Sequence, residues 1–187
     1  MRYLCINPMA LRHSGTVRAD ILQQGDVYTR LGSQLYECET KMMYTFRLAT
    51  RDDEDFLYCL HRATMKDYVD RTWGWDEDIQ AGMFKRKFAP SGQQIVVVDG
   101  RDVGVISLQQ RPDALFLANI QILPEYQGQR LGTAIITSLL AQAAADGKTI
   151  SLQVLKVNPA QRLYRRLGFS VAGETETHIL MSFESQG

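Results

Sequence analysis

The sequence predicts an α+β domain with a mixed, mostly antiparallel sheet flanked by helices. In the first half, two β-branched runs flank Asp99-Gly100, a dipeptide typical of a hairpin turn. The second half alternates apolar, strand-like runs with segments of helical period. Together these patterns give the order β-α-α-β-β-β-α-β-α-β-β, in which hairpins and a β-α-β unit share one sheet.

Composition restricts the classes of function. The chain has 187 residues, 45% of them hydrophobic, which suits one domain, and 21 basic against 21 acidic residues leave no net charge. Neutrality does not favour a nucleic-acid partner. Three dispersed cysteines and three dispersed histidines favour neither a metal site nor disulfides. Without a long apolar span or a signal peptide, no membrane partner and a cytoplasmic location are expected.

Residues 1–42 show no sustained periodicity and contain three scattered glycines. We expect a poorly ordered or peripheral N-terminal extension there, followed by a single domain over 43–187. The domain opens with a period-two strand, Met43–Ala49. Thr50 is suited to cap a helix, in which Phe56 and Leu60 repeat at helical spacing to about Met65.

Both tryptophans of the chain lie in Tyr68–Asp76, which we interpret as a loop. Two readings stay open: a loop that buries two large rings in the core, or one wall of a site for an amine, to which aromatic and acidic groups are suited. Asp76 also suits the start of the next helix, Asp78–Phe88. Strands Ile95–Val98 and Val103–Leu108 then form the hairpin.

A strand, a turn and a helix follow at the centre of the chain. Leu115–Ile122 is an apolar run of the kind found in buried strands, and Leu131–Ala145 carries apolar residues every four positions. The turn before the helix contains Gln127-Gly128-Gln129-Arg130-Leu131-Gly132. Free N–H groups and the positive dipole at a helix start favour a phosphate or pyrophosphate. An ordinary turn, with glycines for tight packing, is the alternative.

A second motif follows the strand Thr149–Leu155. It reads Asn158-Pro159-Ala160-Gln161-Arg162-Leu163-Tyr164-Arg165-Arg166-Leu167-Gly168-Phe169. Asparagine is a good helix cap, proline suits a first helical position and glycine suits a helix end, so this segment is predicted to be helical. Strands Phe169–Ala172 and His178–Phe183 close the domain.

The two motifs resemble those of the Gcn5-related N-acetyltransferase (GNAT) family. The first is similar to its pyrophosphate loop, Gln/Arg-x-x-Gly-x-Gly/Ala, except that Arg130 replaces the middle glycine. Arg130 must therefore keep a negative φ or bear a steric cost, or its guanidinium adds a phosphate contact. The second is similar to Asn-x-x-Ala-x-x-Leu-Tyr-x-x-x-Gly-Phe, with one residue fewer between Asn and Tyr. The resemblance covers about Met43–Phe183.

This resemblance implies a GNAT fold in which the fourth and fifth strands of the domain splay apart and admit acetyl-CoA, the expected co-substrate. It implies Tyr164 as the general acid, although a packing role for this tyrosine stays open. Asn158 would touch the pantetheine or only cap its helix. The thioester is expected near Gln121, Ile122 and Leu123. The pyrophosphate is expected at Gln127, Gly128, Gln129, Arg130, Leu131, Gly132 and Thr133.

The implied reaction is direct acetyl transfer to a primary amine in a ternary complex. The acceptor, a small amine or a protein amino group, would meet Tyr68, Trp73, Trp75 and Asp76. The resemblance also implies a possible pairing into homodimers. A non-catalytic domain that binds or senses acyl-CoA is the alternative function.

The general base is not identified by the sequence. Some GNAT members have glutamate on the fifth strand, where this chain has Gln153, which cannot take a proton. The remaining options are Glu125, Asp76, Glu77, His61 and a water chain.

Overall fold

The computed structural model describes residues 36–37, 43–111 and 114–184. Apart from Tyr36–Glu37, the expected N-terminal extension lies outside the described residues. Tyr36–Glu37 forms a two-residue strand, β1, which pairs antiparallel with the first predicted strand through Tyr36 opposite Tyr44 and Glu37 opposite Met43.

Within the described ranges, seven more strands and four helices follow in the predicted order. The strands are β2 Met43–Leu48, β3 Gln93–Val98, β4 Arg101–Gln110, β5 Ala114–Ile122, β6 Thr149–Leu155, β7 Ser170–Glu174 and β8 His178–Phe183. The helices are α1 Glu54–Trp73, α2 Glu77–Lys87, α3 Leu131–Ala145 and α4 Gln161–Arg166. Short 3-10 turns, Arg51–Asp53 and Pro124–Tyr126, precede α1 and follow β5.

The strands form one mixed sheet in the order β1-β2-β3-β4-β5-β6-β8-β7. Every neighbouring pair is antiparallel except β5 and β6, which run parallel. This confirms the predicted α+β class. The larger apolar core lies between the sheet and α3 with α4, and a smaller one lies on the face covered by α1 and α2.

Helix α3 follows its sequence pattern closely. Leu131, Ile135, Leu139 and Ala143, predicted to share one face, are at most 2% exposed. Burying a leucine or isoleucine side chain stabilises a fold by about 1.5–3 kcal/mol, so this stripe is sufficient to fix the helix on the sheet.

Helix α1 is longer than predicted, so the expected end near Met65 is wrong, and the loop predicted over Tyr68–Asp76 is reduced to Gly74–Asp76. No glycine or proline interrupts the chain until Gly74, which takes φ +83° and donates its N–H to the Asp70 carbonyl at 2.9 Å. That conformation favours glycine and ends the helix. Tyr68 and Trp73 therefore lie on its last turns.

Arg47 ties β2 to the start of α1 and to β4. Its Nη1 and Nη2 donate to the Asp53 carboxylate at 2.9 and 2.7 Å, and its Nε donates to Asp102 at 3.0 Å. Asp53 also accepts the Thr50 N–H at 2.7 Å. Burial alone would raise the pKa of Asp53, but these hydrogen bonds outweigh burial and hold the pKa below its usual value.

Candidate active site

Strands β5 and β6 are the fourth and fifth strands of the predicted domain. They pair along only part of their length. The parallel ladder runs from Ala114 opposite Thr149 to Leu117 opposite Leu152, although β5 continues to Ile122. β6 likewise continues to Leu155. The expected gap between these two strands therefore opens beyond the last paired residues.

A β-bulge accompanies the divergence. β5 pairs with β4 through Leu117 opposite Leu108 and Asn119 opposite Ser107, so Ala118 is the extra residue. An extra residue reverses the side-chain alternation that follows it. Leu117, before the bulge, faces the α3 core. Gln121, after the bulge, therefore faces α1 instead of α3.

The register decides which backbone donors face the gap. Leu123 donates its N–H to the Val103 carbonyl at 2.8 Å. Because an antiparallel ladder alternates and Gln121 stands opposite Val105, the Gln121 N–H also faces β4. Ile122 lies between these two residues, so its N–H points away from β4, towards the gap. Of the three residues expected to offer a backbone donor to the thioester, the geometry leaves Ile122.

Gly104 allows β4 to approach β5 closely at this point. It stands opposite Ile122, and a Cβ built on it would lie 2.5 Å from the Gln121 carbonyl oxygen and 3.3 Å from the Ile122 Cα. Those atoms belong to the backbone and cannot rotate away. A glycine at residue 104 is therefore required for the position of the Ile122 N–H.

The turn after β5 is held by two glutamine side chains. Gln127 donates from Nε2 to the Ile122 carbonyl at 2.7 Å, and Gln129 donates from Nε2 to the Glu125 carbonyl at 2.6 Å. The first of these bonds ties the turn to the splayed end of β5. The geometry thus gives both side chains a structural role in shaping the turn.

Arg130 adopts a left-handed conformation, with φ +64° and ψ 1°, immediately before α3, and Gly128 has φ +72°. The expectation of a negative φ at Arg130 is therefore wrong, and its alternative, a steric cost, holds at about 1–2 kcal/mol for a residue with a Cβ. Turns that include left-handed residues gather successive N–H groups into an anion-binding concavity. The first turn of α3, with Leu131, Gly132 and Thr133, adds N–H groups without partners inside the helix.

Gly132 packs the start of α3 against two neighbours. A Cβ there would lie 3.4 Å from the Ile122 Cδ1 and 3.8 Å from the Leu163 Cδ2. A larger side chain would displace β5 or α4 at the edge of the gap.

Tyr164, the predicted general acid, lies on α4 and is 7% exposed. Its ring packs edge-on against Phe169, with centroids 5.7 Å apart. Burial raises the pKa of the Tyr164 hydroxyl to about 12, so the hydroxyl keeps its proton at neutral pH.

Asn158 lies before α4 and closes a local turn. Its Oδ1 accepts the Ala160 N–H at 2.9 Å, and the helix begins at Gln161, later than predicted. This bond accounts for the asparagine without a ligand, and its contact with pantetheine remains a prediction.

The predicted acceptor residues fall into two groups. Trp75 is half-buried, with its indole N–H donating to Glu77 at 2.9 Å, and the Asp76 carboxylate caps α2 by accepting the Ile79 N–H at 2.8 Å. Trp73 is 59% exposed, and its ring lies 6.0 Å from that of His178. Tyr68 is partly exposed one turn earlier on α1.

The structure also separates the candidate bases. Glu77 accepts hydrogen bonds from Trp75 and Tyr58, and its pKa is lowered by these bonds. Glu125 lies exposed in the 3-10 turn after β5. His61 is the candidate that reaches β5, with its Nδ1 3.4 Å from the Gln121 Nε2. The sequence could not single it out, because this contact depends on the bulge at Ala118.

Two further observations concern the described ranges 43–111 and 114–184. No helix in them is long and apolar enough to cross a membrane. No three metal-ligating side chains come together in them.

Comparison with known proteins shows which family has this architecture. The model of the family described as "Acetyltransferase (GNAT) domain" matches residues 90–171, and this segment belongs to that family. The fold is that of the GNAT acyl-CoA N-acyltransferases, as predicted. The N-acetyltransferase PaiA from Thermoplasma acidophilum, in complex with coenzyme A, aligns with a TM-score of 0.63 at 16% identity over 75% of this chain and 98% of that one. The ribosomal-protein-S18-alanine N-acetyltransferase from Escherichia coli aligns at 0.56 and 22% identity, covering 78% and 96%.

Two curated relatives are also named as N-acetyltransferases. A putative [ribosomal protein bS18]-alanine N-acetyltransferase of Bacillus subtilis is 33% identical over 81 residues, 42% of this chain and 54% of the relative. The [ribosomal protein bS18]-alanine N-acetyltransferase of Haemophilus influenzae is 33% identical over 76 residues, 40% and 52%. The chain thus spans about half the length of the curated relatives it matches.

Proposed function

We propose that the chain is an N-acetyltransferase that moves the acetyl group of acetyl-CoA directly to a primary amine. The observation that carries this proposal is the gap beyond Leu117 and Leu152, which opens beside a turn suited to a pyrophosphate. The pantetheine would enter the gap, and the turn with the first N–H groups of α3 would hold the pyrophosphate.

Two groups would serve the chemistry of the thioester. The Ile122 N–H would stabilise the oxyanion that forms on the carbonyl oxygen, because a fixed backbone donor is already oriented when charge develops. Tyr164 would donate its proton to the departing sulfur. Its pKa of about 12 keeps the hydroxyl protonated at neutral and mildly alkaline pH, where the free amine becomes available.

The first acceptor to test is a peptide whose N-terminal residue is alanine. Both curated relatives are named as alanine N-acetyltransferases of a ribosomal protein, which makes a protein amino group the leading acceptor class. The exposed ring of Trp73, at the end of α1, offers an apolar contact for a polypeptide.

The experiment measures release of the CoA thiol with acetyl-CoA and the alanine peptide, with the N-acetylated peptide as the blocked control. Tyr164→Phe is expected to lower kcat by about 10²–10⁴-fold, the usual contribution of a general acid, while the Kd for acetyl-CoA stays the same. Unchanged turnover in Tyr164→Phe would contradict its role. Absence of thiol release with peptide and small-amine acceptors would contradict the enzyme.

A binding or sensing domain is the second candidate. It is favoured by Gln153, which is exposed on β6 and cannot act as a base, and by Arg130 in a glycine position. Such a domain would bind acetyl-CoA tightly without thiol release, and Tyr164→Phe would leave its affinity unchanged.

A further inference from the structure

We propose that His61 is the general base that accepts a proton from the acceptor amine. The inference rests on the proposed acetyl transfer and assigns the one role in it that the sequence leaves open.

His61 lies at the face of β5 that meets α1. His61 lies on α1, and its Nδ1 is 3.4 Å from the side-chain amide of Gln121, which faces α1 because of the bulge in β5. Gln121 directly precedes Ile122, whose N–H is directed to the gap, and adjacent Cα atoms are about 3.8 Å apart. The imidazole therefore contacts the side chain of the residue next to Ile122, on the α1 face of β5.

Two aromatic rings hold the imidazole of His61 in place. The imidazole packs against Trp75 and Phe84, with ring centroids 6.0 and 5.9 Å away. Contacts with β5, α2 and the turn before α2 leave little freedom for rotation, and a base must be fixed within hydrogen-bond reach of the proton that it removes.

The charge state of the imidazole also suits a base. Burial lowers the pKa of His61 below its usual value, so the imidazole is neutral and able to accept a proton at pH 7. The side chains that meet it from β5, α2 and the intervening turn, Gln121, Phe84 and Trp75, carry no charge. The titratable groups around this cluster bond with one another: Glu77 with Tyr58, Arg62 and Lys66.

Gln121 also decides which ring nitrogen is basic. A side-chain amide can donate or accept after a half-turn, because its oxygen and nitrogen exchange places. In the orientation that the structure gives, the Gln121 Nε2 faces Nδ1, so Nδ1 accepts and Nε2 carries the hydrogen. The proposal requires the amide to turn over, so that the Gln121 oxygen accepts a hydrogen from Nδ1, the lone pair lies on Nε2 and Nε2 takes the proton.

The proton balance of the transfer is complete. The acceptor ammonium gives one proton to His61 Nε2, and the free amine attacks the thioester carbon to form the N–C bond. The C–S bond then breaks, and the sulfur takes the Tyr164 proton. The tyrosinate recovers a proton from the attacking nitrogen, which became positively charged when the N–C bond formed, and the imidazolium releases its proton to solvent. The sum is ammonium plus thioester giving amide, thiol and one proton.

The test is the pH profile of kcat/KM for the wild type, His61→Gln and a matched control, His178→Gln, in which a histidine on the same face is changed. The wild type should lose activity at acid pH as His61 gains a proton, with a midpoint below about 6.5. His61→Gln should lose this limb and fall by about 10²–10⁴-fold near pH 7. Its deficit should shrink towards about pH 8, where an α-amino group loses its own proton. His178→Gln should keep the limb.

The outcomes separate this inference from the proposed function. No thiol release by the wild type would overturn both. An active wild type with the same acid limb in His61→Gln, or with an equal deficit at every pH, would overturn the role of His61 alone. The Kd for acetyl-CoA reports whether the variant is folded, and His61→Asn provides a second variant with a different side-chain length.

Discussion

Leu117 and Leu152 are the last residues at which β5 and β6 face each other across the parallel ladder. The next residue, Ala118, forms the bulge against β4, and beyond it β5 stays paired with β4 but no longer with β6. The bulge shifts the alternation of β5 by one residue, so the Ile122 N–H points away from β4 and the Gln121 side chain faces α1.

The first prediction concerns Gly104, which sets the position of Ile122. Gly104→Ala places a methyl group 2.5 Å from the Gln121 carbonyl oxygen, so the backbone must move. We expect kcat/KM to fall by up to about 10²-fold, the loss that a misplacement of about 1 Å can cause. Gly82→Ala, in α2, is the control and should raise helix stability by about 0.5–1 kcal/mol. Equal activity in both variants would contradict the role of Gly104 in positioning the Ile122 N–H.

The second prediction concerns the left-handed conformation of Arg130. Arg130→Gly and Arg130→Asn accept φ +64° more readily than a β-branched residue does, so Arg130→Val should be less stable than either by about 1–2 kcal/mol. Urea unfolding measures the difference. Binding of acetyl-CoA should persist in Arg130→Gly, since the backbone N–H groups of the turn are unchanged. A stable Arg130→Val would contradict the strain.

The third prediction concerns the alkaline side of the reaction. Since burial raises the pKa of Tyr164 to about 12, the proton donor stays protonated well above pH 9. The activity of the wild type should therefore show no alkaline loss from tyrosine ionisation up to about pH 10, near the usual tyrosine pKa. A loss with a midpoint near that value, absent from Tyr164→Phe, would show that the hydroxyl ionises more readily than its burial indicates.

The fourth prediction concerns Asp53 and stability at acid pH. The folded pKa of Asp53 is lowered, so its stabilisation is present above the unfolded pKa of about 3.9 and is lost as the pH falls through the folded value. Asp53→Asn should lower the free energy of unfolding by about 1.5–3 kcal/mol at neutral pH, the range for hydrogen bonds to charged groups. The difference from the wild type should shrink below about pH 4.

Asp52→Asn is the matched control for that measurement. Asp52 is exposed beside Asp53, and an exposed substitution of this kind changes stability by less than about 0.5 kcal/mol. A constant difference between wild type and Asp53→Asn down to acid pH would contradict the ion pair with Arg47 as its source.

The sequence predicted those elements whose limits depend on local chemistry. The bounds of α3, β6 and β8 agree with their predicted limits, because strong apolar periods end at glycine or at a turn. Asp99 and Gly100 take positive φ in the hairpin, as their residue types indicated.

The relation between His61 and Gln121 could not be predicted, because it depends on long-range pairing. Unbroken alternation from Leu115 and Leu117 would place Gln121 on the α3 face, whereas the bulge at Ala118 moves it to the α1 face. The motif residues around the turn were recognisable from the sequence. The sequence does not show which N–H groups of β5 bond to β4, because that depends on the strand register.

Binding of acetyl-CoA by the gap and its turn is tested most directly by the midpoint of thermal unfolding, measured with and without this ligand. At a concentration of 100 times Kd, binding to the native state adds about 2.7 kcal/mol to stability, which raises the midpoint by several degrees. Gly132→Met should abolish the shift because its side chain displaces Ile122 or Leu163, whereas Gly82→Met, near only the end of Arg86, should keep it. An unchanged midpoint of the wild type at millimolar acetyl-CoA would contradict the account.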